Sequence, residues 1–199
     1  MLDRLARPLI DPPLQWLARR AIAAGLHANA VTLIGFAIGM GGVALVSVGA
    51  YRSALAALLL SRVCDGLDGA IASLRGPTDF GGYIDIVSDF IFYAAFVFGF
   101  ALADPANALW AALLLVSFMG TATSFLAWAI LAGKRGLESQ AQGKKSFFYS
   151  AGLIEGSETI AFLALCCLIP QYFRELAIVF TVLCTVTVAG RIAAARPAF

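Results

Sequence analysis

From Ala30 to Ala50 the chain carries no charged residue, and apolar stretches of similar length recur to its end. A run of about 20 such residues crosses a hydrocarbon core roughly 30 Å thick when helical, and in lipid a helix satisfies its own backbone polar groups. Composition agrees: of 199 residues 61% are hydrophobic and 13% charged, with mean hydropathy +0.88. A water-soluble domain of this size does not carry so much apolar surface. An all-α membrane protein is expected.

Six spans are predicted: Ala30 to Ala50, Ser53 to Leu74, Phe80 to Leu102, Asn107 to Ala132, Phe147 to Ile169 and Tyr172 to Ala194. The breaks between them carry Gly76-Pro77, Asp104-Pro105, the polar run from Gly133 to Lys145, and Pro170. Ahead of the first span, Trp16 and Leu17 beside Arg19 and Arg20 predict an N-terminal amphipathic helix on the membrane surface, with a break at Pro12-Pro13. The chain thus divides into residues 1–27 and a transmembrane domain of residues 28–199. No cleavable leader is read, because the first apolar run long enough to span begins near Ala30. Cys64, Cys166, Cys167 and Cys184 lie in apolar runs at no metal-ligand spacing and read as small buried hydrophobes.

Six spans place both termini on one side. Arg4, Arg7, Arg19, Arg20, Arg75, Lys134, Arg135, Lys144, Lys145, Arg191 and Arg196 fall on that side, and only Arg52 and Arg174 opposite. Arg62 is left inside the second span. Positive residues stay cytoplasmic, so the termini and the turn after the second span are expected to face the cytoplasm.

That turn joins the two most polar segments of the apolar region. Asp65 and Asp68 are three residues apart near the end of the second span; Asp85 and Asp89 are four apart at the start of the third. On helices each spacing puts a pair on one face. Gly76-Pro77 reads as a helix stop and Thr78 or Asp79 as the next N-cap. Helix lengths of about 12 Å and 9 Å from the turn set the pairs at similar depth, where they could face one another. Four clustered carboxylates repel unless cations lie among them, and hard oxygen donors suit Mg²⁺, Mn²⁺ or Ca²⁺.

The pattern Asp65-x-x-Asp68-Gly69-x-x-Ala72, followed by Gly81-x-x-x-Asp85-x-x-x-Asp89, closely resembles the signature of the CDP-alcohol phosphotransferases. These are integral membrane enzymes that move a phospho-alcohol from a CDP carrier to an acceptor hydroxyl. The resemblance implies a CDP-linked lipid donor, a small polar alcohol acceptor, release of CMP, and two Mg²⁺ or Mn²⁺ ions. By position it implies Asp65, Asp68, Asp85 and Asp89 as metal ligands and Asp89 also as general base. Gly69, Ser73 and Gly81 would lie against the cytidine diphosphate. Ser73 stands where the family usually has arginine, and the spacing from there to Gly81 is one residue shorter than in many members.

Two other classes compete: an ion- or proton-coupled transporter, and a homologue that keeps the fold without the catalysis. Gly69, Gly81 and Gly82 favour the enzyme, since glycine lets a nucleotide approach the backbone closely. A transporter more often shows interrupted helices in two matching halves, and no such repeat is found here. For the acceptor, Lys144 and Lys145 suit a phosphate, whereas Glu155 and Glu158, expected on one helical face, suit a hydroxyl-rich or amine alcohol. The lipid bilayer is an expected partner and nucleic acid is not; a homodimer is one assembly open to the chain.

Overall fold

In a computed structural model of the protein, residues 2–136 and 153–199 are described, with side chains from residue 12 onward. The described residues form helices and no strand: α1 (Leu2–Ala23), α2 (Ala28–Ser47), α3 (Tyr51–Arg75), α4 (Asp79–Ala103), α5 (Ala108–Lys134), α6 (Gly156–Leu168) and α7 (Phe173–Ala198). Short 3-10 turns at Pro105–Asn107 and Pro170–Tyr172 lead into α5 and α7. Among the described residues, four helical segments are long and apolar enough to cross a membrane: Ala28–Ser47, Asp79–Ala103, Pro105–Lys134 and Pro170–Ala198.

The other two expected spans differ from these for separate reasons. The 25 residues of α3 extend about 37 Å, long enough to cross, but Arg62, Asp65 and Asp68 interrupt its apolar character. The 13 residues of α6 extend only about 20 Å. The expected fifth span began at Phe147; residues 147–152 lie outside the described residues, and Leu153 to Glu155 are not helical. At the N-terminus, α1 runs through Pro12-Pro13, where a break was expected: proline's φ is compatible with a helix, although each ring leaves one helical hydrogen bond unmade. Trp16 and Leu17 are exposed, while Ala18 and Ala21 are buried against Val31 and Ile71.

α2 packs along both α3 and α4, whereas α3 and α4 touch each other little. Small residues make that possible. A Cβ on Gly35 would lie 2.7 Å from the Cβ of Cys64, one on Gly39 2.7 Å from the Phe92 ring, and one on Gly42 3.2 Å from Ala57. At spacings of four and three these glycines share one face of α2. They let its backbone seat between the two aspartate-bearing helices.

Below the aspartates the same stripe of α4 turns aromatic. Phe92, Phe96 and Phe100 are fully buried, with successive ring centroids 5.5 and 6.2 Å apart. Phe100 stacks on Phe173 of α7 at 4.6 Å, which ties the far end of the bundle together. Cys166, Cys167 and Cys184 are buried and Cys64 half-buried, all free thiols, as the apolar reading anticipated. Arg191 of α7 is buried and donates to the Thr121 carbonyl of α5 at 2.8 Å, so its charge is met by backbone.

Gly39→Ala should therefore destabilise the bundle by about 1–3 kcal/mol, the usual cost of overpacking a filled interface. Gly41→Ala, on another face of α2 with open space around it, should not. Thermal unfolding in detergent checks both: a lowered midpoint for the first variant only.

Candidate active site

The turn between α3 and α4 has the expected chemistry. Gly76 takes φ +96°, a left-handed conformation that ends α3 and that residues with a Cβ rarely adopt. Thr78 then caps α4, its Oγ1 accepting from the Gly81 amide at 3.0 Å. The two helices leave this turn with their carboxylates facing each other across a cleft. Its walls are Thr32, Gly35 and Phe36 from α2, Ser61, Arg62, Asp65 and Asp68 from α3, and Asp85, Ser88 and Asp89 from α4.

Within that cleft one oxygen each from Asp65, Asp85 and Asp89 lies within 4.8 Å of the others, and all three residues are half-buried. Asp68 stands apart from this group. It is 6% exposed, and its buried Oδ2 has no hydrogen-bond partner among the described residues. The sequence pattern put four aspartates on equal footing; the geometry divides them three and one. An i, i+3 step turns about 300°, so Asp68 is rotated about 60° from Asp65 and faces Thr32 of α2.

Two residues that the sequence reading did not assign to the site are central to it. Arg62, one turn before Asp65, brings Nη1 to 2.7 Å from Asp89 Oδ1 and 3.3 Å from Asp65 Oδ1. Its Nη2 donates to Ser61 Oγ at 3.1 Å, and its Cζ lies 4.7 Å above the Phe92 ring. Tyr93, one turn after Asp89, donates to Asp89 Oδ2 at 3.2 Å. Both oxygens of Asp89 are thus engaged. The signal for Arg62 was present: a lone charge in an apolar run, at helical spacing from an aspartate.

The remaining expected site residues are dispersed. Gly69 faces open space, and a Cβ built there would meet nothing within 4 Å. Gly81 is different: a Cβ there would meet Thr78 Oγ1 at 2.9 Å and Asn29 Oδ1 at 3.0 Å, so its bareness serves the cap of α4. Ser73 and Arg75 are exposed in the last turn of α3. Arg62 precedes Ser73 by 11 residues, about 16 Å along the helix, so it does not stand in for a cation at that position. Glu155 and Glu158, expected on one face, instead form a capping box at the start of α6, with the Glu155 amide donating to Glu158 Oε2 at 3.2 Å. Lys144 and Lys145 lie outside the described residues.

The donor set fits a divalent cation. The ligands are hard oxygens, and three lie close enough that small side-chain rotations bring them to one ion. The fourth carboxylate offers a buried oxygen with no hydrogen-bond partner among the described residues.

Comparison with known proteins agrees with the site. The family profile described as CDP-alcohol phosphatidyltransferase matches residues 25–190, and the chain belongs to that family, whose members transfer substituted phosphate groups. It is 45% identical over 193 residues to the inner membrane protein YnjF of Escherichia coli K12, covering 96% of this chain and 94% of that one. It is 34% identical over 107 residues to archaetidylinositol phosphate synthase of Pyrococcus horikoshii, covering 51% of this chain and 54% of the relative. The fold matches the crystal structure of Mycobacterium tuberculosis phosphatidylinositol phosphate synthase PgsA1 with CDP-DAG bound. The TM-score is 0.72 at 20% identity, over 91% of this chain and 92% of that one.

The two motif glycines should separate experimentally. Gly81→Ala should lower the melting midpoint by crowding the α4 cap, while Gly69→Ala should leave it unchanged and weaken CDP binding. Melting curves with and without CDP read both effects.

Proposed function

We propose that the protein transfers a phosphatidyl group from CDP-diacylglycerol, or a similar CDP-linked lipid, to a small polar alcohol and releases CMP. The observation that carries this reading is the convergence of Asp65, Asp85 and Asp89 from two helices onto one point. PgsA1, with CDP-DAG bound, supports the donor class by its shared fold, and the archaetidylinositol phosphate synthase supports a role in lipid synthesis.

A divalent cation, Mg²⁺ or Mn²⁺, bound among these carboxylates would offset the charge of the diphosphate and of departing CMP. Two ions are the number that four carboxylates neutralise. Asp65, Asp68 and Asp85 would hold the ions, and Asp89 would share in this while accepting the proton of the acceptor hydroxyl. The hydroxyl oxygen forms its bond to phosphorus as the bond to CMP breaks, and the proton passes to Asp89 Oδ. Gly69, open on its outer side, would leave room for the cytidine diphosphate, and Ser73 and Gly81 would lie at its margin. Lys144, Lys145, Glu155 and Glu158 are the candidates for the acceptor's surroundings.

The same reading takes α3 and α6 as crossing with the four apolar helices, giving six spans after an N-terminal surface segment of residues 1–27. The carboxylate cleft and both termini then face the cytoplasm, where the positive charge concentrates. YnjF is named an inner membrane protein, which is consistent with that setting.

Purified protein with CDP-diacylglycerol, Mg²⁺ and a panel of polar alcohols should release CMP, and chelation should stop it. Asp65→Asn or Asp68→Asn should weaken metal and CDP binding together, since an amide is a poorer ligand than a carboxylate. Asp89→Asn should keep more of the CDP affinity while turnover falls at least about 100-fold. No CMP with any acceptor would point to a fold kept without catalysis, and equal loss of CDP affinity in all three variants would remove the separate role of Asp89.

A further inference from the structure

Arg62 is a largely buried cation seated among the carboxylates that the divalent ion would use. Its side chain is 12% exposed, and it is held on several sides: Asp89 at 2.7 Å, Asp65 at 3.3 Å, Ser61 at 3.1 Å and the Phe92 ring beneath. The guanidinium is largely shielded while Asp65 and Asp89 keep 36% and 29% of their side chains exposed, so the pairs are screened less than a surface ion pair but not fully dry. The seat is nonetheless incomplete. Among the described residues the buried Arg62 Nε has no hydrogen-bond partner, and an unmade bond of that kind costs stability.

Two of the three residues whose oxygens converge are the two that Arg62 binds. An ion among Asp65, Asp85 and Asp89 would sit within about 5 Å of the guanidinium, where like charges repel strongly at a protein's effective dielectric. If Arg62 were only a strut between α3 and α4, its removal would loosen the carboxylates and weaken ion binding.

We propose that Arg62 competes with the divalent cation for Asp65 and Asp89, and so sets the metal concentration at which the site loads. This rests on the divalent-cation reading of the site given above. The carboxylates are kept assembled by an internal cation that yields to an external one, and Tyr93 keeps its own bond to Asp89 Oδ2 throughout.

Mn²⁺ binding to the full chain in detergent, read as free Mn²⁺ by electron paramagnetic resonance, tests this without reference to turnover. Arg62→Gln removes the charge and keeps hydrogen-bonding groups; it should lower the Mn²⁺ Kd at least about tenfold, since it removes a neighbouring charge. Arg62→Lys keeps the charge and should stay within about threefold of wild type on the same ground. Should Arg62→Gln not fold, the wild-type chain still decides. With ¹⁵N-labelled arginine, the guanidinium signal that Arg62→Lys lacks should shift, and its N–H exchange quicken, as Mg²⁺ saturates. Unchanged or weaker Mn²⁺ binding in folded Arg62→Gln, or an Arg62 signal indifferent to Mg²⁺, overturns the competition while leaving the metal site standing. No Mn²⁺ binding to wild type or Arg62→Gln would instead remove the metal reading, and this proposal with it.

Discussion

Carboxylates whose oxygens lie within 4.8 Å of one another repel, and in a helix bundle built for lipid there is little water to soften it. Nothing in the chain's apolar composition rewards such an arrangement. It persists because positive charge meets it: Arg62 from within the protein and, in the proposed function, divalent cations from outside. The rest of the structure can be understood as holding α3 and α4 at the separation this balance needs. Their direct contact is slight, so the separation is imposed by what packs against both.

That brace is α2. Gly35, Gly39 and Gly42 bring its backbone against Cys64, Phe92 and Ala57, and its Thr32 reaches the cleft beside Asp68. On the α4 side the load passes into the buried column of Phe92, Phe96 and Phe100, of which Phe92 also floors the Arg62 guanidinium. One stripe of α4 therefore serves two purposes along its length, carboxylates at one end and packed aromatics at the other. A polar site in a membrane protein needs such rigid walls, because the ligands must stay convergent against their own repulsion.

The positions of α2 to α5 and α7, the stop at Gly76-Pro77 and the cap at Thr78 were legible in the sequence. Each rests on local chemistry: apolar length, proline, glycine and a capping hydroxyl. The aspartate pairs were legible for the same reason, as helical spacing alone puts each pair on a face. What needed the fold was anything set by a neighbouring helix. Arg62 read as a stray charge, since its partner Asp89 is 27 residues away. The separation of Asp68 from the other three depends on how α3 is rotated against α2. Glu155 and Glu158 read as one polar face near the opening of a span, and only the helix start at Gly156 shows them paired as a capping box. Gly81 matched a family motif, yet its immediate neighbours are a cap hydroxyl and Asn29, which no pattern along one segment reveals.

In the proposed function, ion, nucleotide and acceptor meet at the carboxylate cleft that α2, α3 and α4 line. The central claim is that Asp65, Asp85 and Asp89 share a metal ion. Anomalous diffraction from crystals grown with Mn²⁺ tests that most directly. A peak in contact with oxygens of all three residues, with ligand distances of about 2.0–2.6 Å typical of hard cations, is the expected result. Well-ordered crystals that bind Mn²⁺ only elsewhere, with the Arg62–Asp89 pair undisturbed, would contradict it.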